Sequence, residues 1–65
     1  MKKIKLYQTV RLITDNYEEY NLNKGALGTI LEIYDEENFE IEWYDSLGNV
    51  IYMCAFNIAD FEVIS

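Results

Sequence analysis

From Asn38 to Tyr44 the chain reads "NFEIEWY", and its bulky apolar residues, Phe39, Ile41 and Trp43, fall on every second position. Side chains on a strand alternate between faces, so this stretch predicts a β-strand with one buried face and one wet face. A helix over Glu32–Trp43 fails, because the apolar positions do not hold a 3.6-residue period. The same alternation recurs along the chain and is broken by turn signals roughly every eight to twelve residues, the pattern of a small all-β fold.

Five strands are expected. The first covers about Tyr7 to Thr14, with Val10 and Leu12 alternating against Arg11 and Ile13. A long loop, "DNYEEYNLNKG", should fold its aromatics back onto the core, with Leu22 as its apolar anchor. Gly25 suits a tight turn of positive φ, and Gly28 at the opening of the second strand suggests a bulge or bend. The second strand covers about Thr29–Tyr34, the third Phe39–Tyr44, the fourth Val50–Ala55 and the last Phe61–Ile64. "DEEN" and "DSLGN" are the hairpin turns, with Gly48 left-handed in the latter. "NIAD" reads as a single 3₁₀ turn that Asn57 can cap. The expected architecture is a five-stranded SH3-like barrel with a 3₁₀ turn before the last strand. An OB-like barrel is the alternative.

With 65 residues the chain is read as one domain, 1–65. Such a chain buries only about 60% of the surface it exposes unfolded, so its stability should be modest. No apolar run approaches the roughly 18 residues of a membrane span. The opening "MKKIKLYQTV" has the lysines of a secretory leader without the apolar stretch that should follow, and a cytoplasmic location is expected. The single cysteine, Cys54, excludes an internal disulfide and reads as a strand residue. The absence of histidine excludes Cys–His and Ser–His–Asp chemistry and makes a zinc site improbable. No catalytic residue, metal or cofactor is expected. Paired carboxylates could in principle do acid–base work, but so small a barrel has little room for a substrate cleft.

The charge is divided unevenly. All five basic residues lie in 1–24, whereas 25–65 hold nine acids and no base. Nucleic acid is a poor match for such a surface, and a basic protein a good one. The acids concentrate in "DEENFEIEWYD", where six of eleven residues are carboxylates. On the third strand Phe39, Ile41 and Trp43 should face the core, which turns Glu40 and Glu42 outward. On the second strand the choice lies between Leu31 with Ile33 inward and Ile30 with Glu32 inward. Burying an unpaired glutamate costs several kcal/mol, so Leu31 and Ile33 are placed inside and Glu32 outside. On the fourth strand the choice lies between Ile51 with Met53 inward and Val50, Tyr52 and Cys54 inward; the first is adopted, with Phe56 completing the core, which would stand Tyr52 beside the acids. The resulting candidate binding face is Glu32, Tyr34, Asp35, Glu36, Glu37, Glu40, Glu42, Asp45 and Tyr52. A solvated acidic face that keeps a small protein soluble accounts for the same residues.

The stretches "LNKGALGTILEIY", "FEIEWYDSLGNVIYM" and "IADFEVI" together resemble a small bacterial family of unknown function. Its pattern is GL-x-x-G-x-x-G-T-V, then Y-E-V-E-F, then a turn with Asp and Gly. Leu22, Gly25, Gly28, Thr29, Glu40, Glu42, Trp43, Asp45 and Gly48 fill the matching positions, with Trp43 where the family carries Phe. The resemblance implies a small, mostly β fold and no agreed activity. It also implies that members act as partners of neighbouring toxin-type proteins, some nuclease-like, in an immunity or antitoxin role. Two other readings stand beside it. One is an adaptor recruited through an exposed strand edge. The other is an RNA-associated barrel, suggested by a faint KOW-like look around Gly25–Ile30, using Lys2, Lys3, Lys5, Arg11 and Lys24. Pairing of the chain with itself is open. The reading adopted from the sequence is an acidic module that binds a basic protein.

Overall fold

The computed structural model describes residues 3–65. Its five strands are β1 (Thr9–Leu12), β2 (Leu27–Ile33), β3 (Asn38–Tyr44), β4 (Val50–Asn57) and β5 (Phe61–Val63). One 3₁₀ turn, Glu18–Tyr20, lies in the long β1–β2 loop, and a second, Ile58–Asp60, precedes β5. All pairings are antiparallel, in the order β4-β3-β2-β1-β5. The last strand therefore returns to pair with the first, and the expected all-β, five-stranded arrangement forms. The sheet is open, with β4 and β5 as its two edges.

The inner face carries the core. Val10, Leu12, Ile30, Phe39, Ile41, Trp43, Phe56 and Phe61 are buried, together with Leu22, which the long loop delivers as expected. Tyr17 from that loop packs on Phe56 with ring centroids 4.8 Å apart, and Tyr20 stacks on Tyr52 at 5.2 Å. The loop thus acts as a cover over the open side of the sheet, and buried Leu22 with half-buried Tyr17 adds to the area that a short chain otherwise lacks. The Tyr17 hydroxyl donates to Asp60 Oδ2 at 2.9 Å. Asp60 also accepts from the Asn57 backbone N–H, while Asn57 caps Ala59, so the second 3₁₀ turn carries the expected cap as a reciprocal capping box.

Gly25 and Gly48 have φ of 97° and 86°, as their turns require. Gly28 plays a different part from the bulge or bend expected of it. It is paired in register with Val10 on one side and Trp43 on the other, and the Trp43 ring lies over it. The bulge comes later. Ile30 pairs with Ile41 and Glu32 with Glu40, so Leu31 is an extra residue on β2.

That extra residue corrects the expected facing of β2. Ile30, not Leu31, is the buried residue, whereas Ile33 faces inward opposite Phe39 as expected and is 40% exposed at the strand end. A continuous strand must choose between burying Ile30 with Glu32 and burying neither. The bulge restores the alternation one residue late, so Ile30 faces in and Glu32 still faces out. A second irregularity does the same on β4. Tyr44 pairs with Val50 and Trp43 with Tyr52, which makes Ile51 the extra residue. Tyr52 therefore faces inward opposite Trp43, and Met53, expected inside, lies outward opposite Glu42 and is 53% exposed. Phe56 is buried as expected, and it shares its face with Tyr52 rather than with Met53.

Candidate functional site

The outer face of the sheet is where the acids meet. Glu32 on β2 stands directly opposite Glu40 on β3, and Glu42 sits between Thr29 and Met53. Residues directly opposite on antiparallel strands share a face with Cβ atoms about 4.5–5.5 Å apart, so this is a like-charge pair. Among the described residues the one ion pair is elsewhere, between Arg11 and Glu62, where the Arg11 Nε donates to Glu62 Oε1 at 2.9 Å. The sign of the field over Glu32, Glu40 and Glu42 is therefore negative and locally uncompensated.

Tyrosines, not bases, serve these carboxylates. The Tyr34 hydroxyl donates to Glu40 Oε1 at 2.8 Å. The Tyr44 hydroxyl donates to Glu42 Oε1 at 2.8 Å and lies 3.0 Å from Thr29 Oγ1. A phenol has one proton, so with Glu42 accepting it, Thr29 donates its own to the Tyr44 oxygen. The hydrogen bond to Glu40 raises the Tyr34 phenol above its ordinary pKa, with burial and the charges of Glu40 and Glu32 adding to it. At Tyr44 the Thr29 hydrogen bond pulls down, but the hydrogen bond to Glu42, burial and the Glu42 charge together outweigh it and leave the phenol raised. Both tyrosines stay neutral donors, and each orients one carboxylate.

The remaining candidates separate into different places. Asp35 and Asp45 lie just beyond the two ends of β3, and a seven-residue strand spans about 20 Å. Both are turn builders. Asp35 Oδ1 accepts from the backbone N–H groups of Glu37 and Asn38 at 2.8 and 2.9 Å. Asp45 Oδ1 accepts from those of Leu47 and Asn49, both at 2.9 Å. Hydrogen bonds to the charged form favour it. The Glu37 N–H, followed by the Asn38 side chain, holds Asp35 below the usual carboxylate value. The Asn49 and Leu47 N–H groups do the same for Asp45. Glu36 and Glu37 lie on the rim of an open cleft of about 670 Å³ whose apolar lining is Ile4, Ile33, Phe39 and Ile58. Lys3 lines the same cleft.

Tyr52 does not join the acids. It faces inward, stacks on Tyr20 and meets Phe56 edge-on, because the Ile51 bulge shifts its parity. Its place beside Glu42 is taken by Met53. Tyr44 was missing from the expected set. Its signal was in the sequence, since Glu40, Glu42 and Tyr44 share one parity on an unbroken strand. The face that the structure brings together is thus Glu32, Glu40 and Glu42 with Tyr34, Tyr44 and Met53. Of the basic residues, Arg11 is paired with Glu62, and Lys2 lies outside the described residues. No group of three or more Cys, Asp or Glu side chains capable of holding a metal occurs among the described residues. No helix among them is long and apolar enough to cross a membrane.

Comparison with known proteins finds the family model of a domain of unknown function, DUF4926, matching residues 6–63. No curated protein and no solved structure matches the chain.

Proposed function

The chain belongs to the DUF4926 family, and we propose that it is a cytoplasmic protein-binding module whose acidic outer face docks on a basic protein, as an immunity- or antitoxin-type inhibitor docks on a nuclease-like toxin. The observation that carries this reading is the Glu32–Glu40 pair, two carboxylates set directly opposite one another with Glu42 alongside and no base beyond Lys24 in the chain. A lysine- or arginine-rich surface would relieve that repulsion on contact. Long-range attraction between the two surfaces speeds association, and it weakens as salt screens it. Tyr34 and Met53, both more than half exposed, offer apolar area beside the charges and slow dissociation. The hydrogen bonds from Tyr34 and Tyr44 orient Glu40 and Glu42 before a partner arrives, which lowers the ordering cost of binding.

Affinity capture from a lysate of the source organism tests the reading, with the wild type run beside a Glu32→Gln, Glu40→Gln, Glu42→Gln variant. The wild type is expected to retain one basic protein in a salt-sensitive manner and the variant to lose it. Retention of the same protein by both would move the contact off this face.

A further inference from the structure

The two edges of the sheet are built differently. β5 is three residues long and carries Glu62, paired with Arg11, which is how natural sheets blunt an edge. β4 is eight residues long, "VIYMCAFN", with no charge and no proline. The uncharged run extends further, from Ser46 to Ala59, in a chain whose net charge is −7. Among the described residues β4 pairs with no strand but β3. Its Met53, Cys54 and Ala55 are exposed in succession. The Ile51 irregularity twists the N-terminal end of the strand and leaves Tyr52–Phe56 regular and open to pairing, up to Asn57, whose N–H is taken by Asp60.

We propose that this edge pairs antiparallel with β4 of a second copy of the chain, making a continuous ten-stranded sheet across a two-fold axis. This goes beyond the acidic-face reading and does not depend on it. Charge selects the occupant. Two acidic chains repel wherever Glu32, Glu40, Glu42 or the Asp35–Glu37 turn would meet, and of the two edge strands β4 is the one along which a copy brings no acid to a copy. A basic partner finds no carboxylate on this strand to pair with. In the paired sheet the Glu40–Glu42 rows of the two copies stand three strand spacings apart, about 14 Å. That exceeds the Debye length of about 8 Å at physiological ionic strength, so the two rows hardly oppose the pairing. Each copy keeps its acidic face clear.

The test is sedimentation velocity under reducing conditions across a wide range of protein concentration, at low and at high salt. Met53 lies at the middle of β4, so it falls close to any axis centred on that strand. The wild type is expected to dimerise as concentration rises, with the dimer held or strengthened by salt. Met53→Lys and Met53→Glu are each expected to stay monomeric with unchanged circular dichroism, and an equal mixture of the two to form a heterodimer. A wild type that stays monomeric throughout overturns the pairing and leaves the edge to a strand of another protein. Dimers of both charged variants alone would overturn it as well. Should either variant fail to fold, hydrogen exchange on the wild type decides: outward amides of Tyr52–Phe56 gain protection with concentration if the edges pair. Protection there that is independent of concentration refutes the proposal.

Discussion

Gly28 and Trp43 face each other across β2 and β3 so closely that a Cβ on Gly28 would lie 2.7 Å from the indole Cε3. The same atom would lie 2.9 Å from the Glu42 carbonyl oxygen and 2.9 Å from Ile41 Cγ2. The glycine is a packing requirement: it leaves the indole room against the strand. Gly28→Ala should lower stability by about 1–3 kcal/mol, the usual cost of overpacking a core. Chemical denaturation measures it. Combined with Trp43→Phe, the loss should be less than additive, because a smaller ring gives the methyl group space. The indole Nε1 has no hydrogen-bond partner, so removing it also lifts a desolvation cost that partly offsets the lost volume. An alanine variant that melts with the wild type would show that the ring moves aside freely.

Neutralising either member of the Glu32–Glu40 pair should stabilise the fold. The gain expected for Glu32→Gln is a few tenths of a kcal/mol to about 1, because like charges opposite one another on a sheet repel but water screens them. It should shrink in high salt. Thermal melts at two salt concentrations measure it, and a variant less stable than the wild type at low salt would contradict the repulsion.

Burial, then the hydrogen bond to Asp60 and its charge, push the Tyr17 phenol from 10.0 up to about 12. The folded state therefore holds this proton more tightly than the unfolded chain does. The stabilisation is fully present below pH 10 and is lost as pH rises toward 12. Stability followed by circular dichroism should decline across that interval, and Tyr17→Phe should flatten the decline. If the phenylalanine variant declines just as steeply, another group is responsible.

The acid limb has the opposite sign. Asp35 and Asp45 are held below their ordinary value of 3.8 by turn N–H groups, so what they contribute is present above that pH and lost as pH falls through their folded values. Asp45→Asn should blunt acid unfolding below pH 3.8 while lowering stability at neutral pH. Acid titrations of the two proteins that superimpose would remove Asp45 from the account.

Tyr7 adopts φ 68° in the turn from Lys5 to Gln8 with its ring 71% exposed. A left-handed conformation costs a residue with a Cβ about 1–2 kcal/mol, whereas glycine gives up about 0.5–1 in unfolded-state entropy. Tyr7→Gly should therefore raise stability by roughly 0.5–1 kcal/mol. A fall in the denaturation midpoint would mean that the exposed ring makes a contact worth more than the strain.

What the sequence determined by itself was everything that depends on an unbroken period or on turn chemistry. The facing of Phe39, Ile41 and Trp43 against Glu40 and Glu42 followed from alternation alone, because β3 has no extra residue. The Gly25 and Gly48 turns, the Asn57 cap and the anchoring by Leu22 followed from residue type. What only the tertiary structure decided was which strands carry an extra residue. Leu31 and Ile51 bulge because Ile30 and Tyr52 gain burial against Ile41, Trp43 and the Tyr20 ring, a benefit set by partners distant in the chain. A period-two reading has no local signal for that trade, so it placed Leu31 and Met53 inside and Tyr52 among the acids. The β2 bulge turned Ile30 inward and kept Glu32 outward, and the β4 bulge exchanged Tyr52 for Met53 in the acidic face.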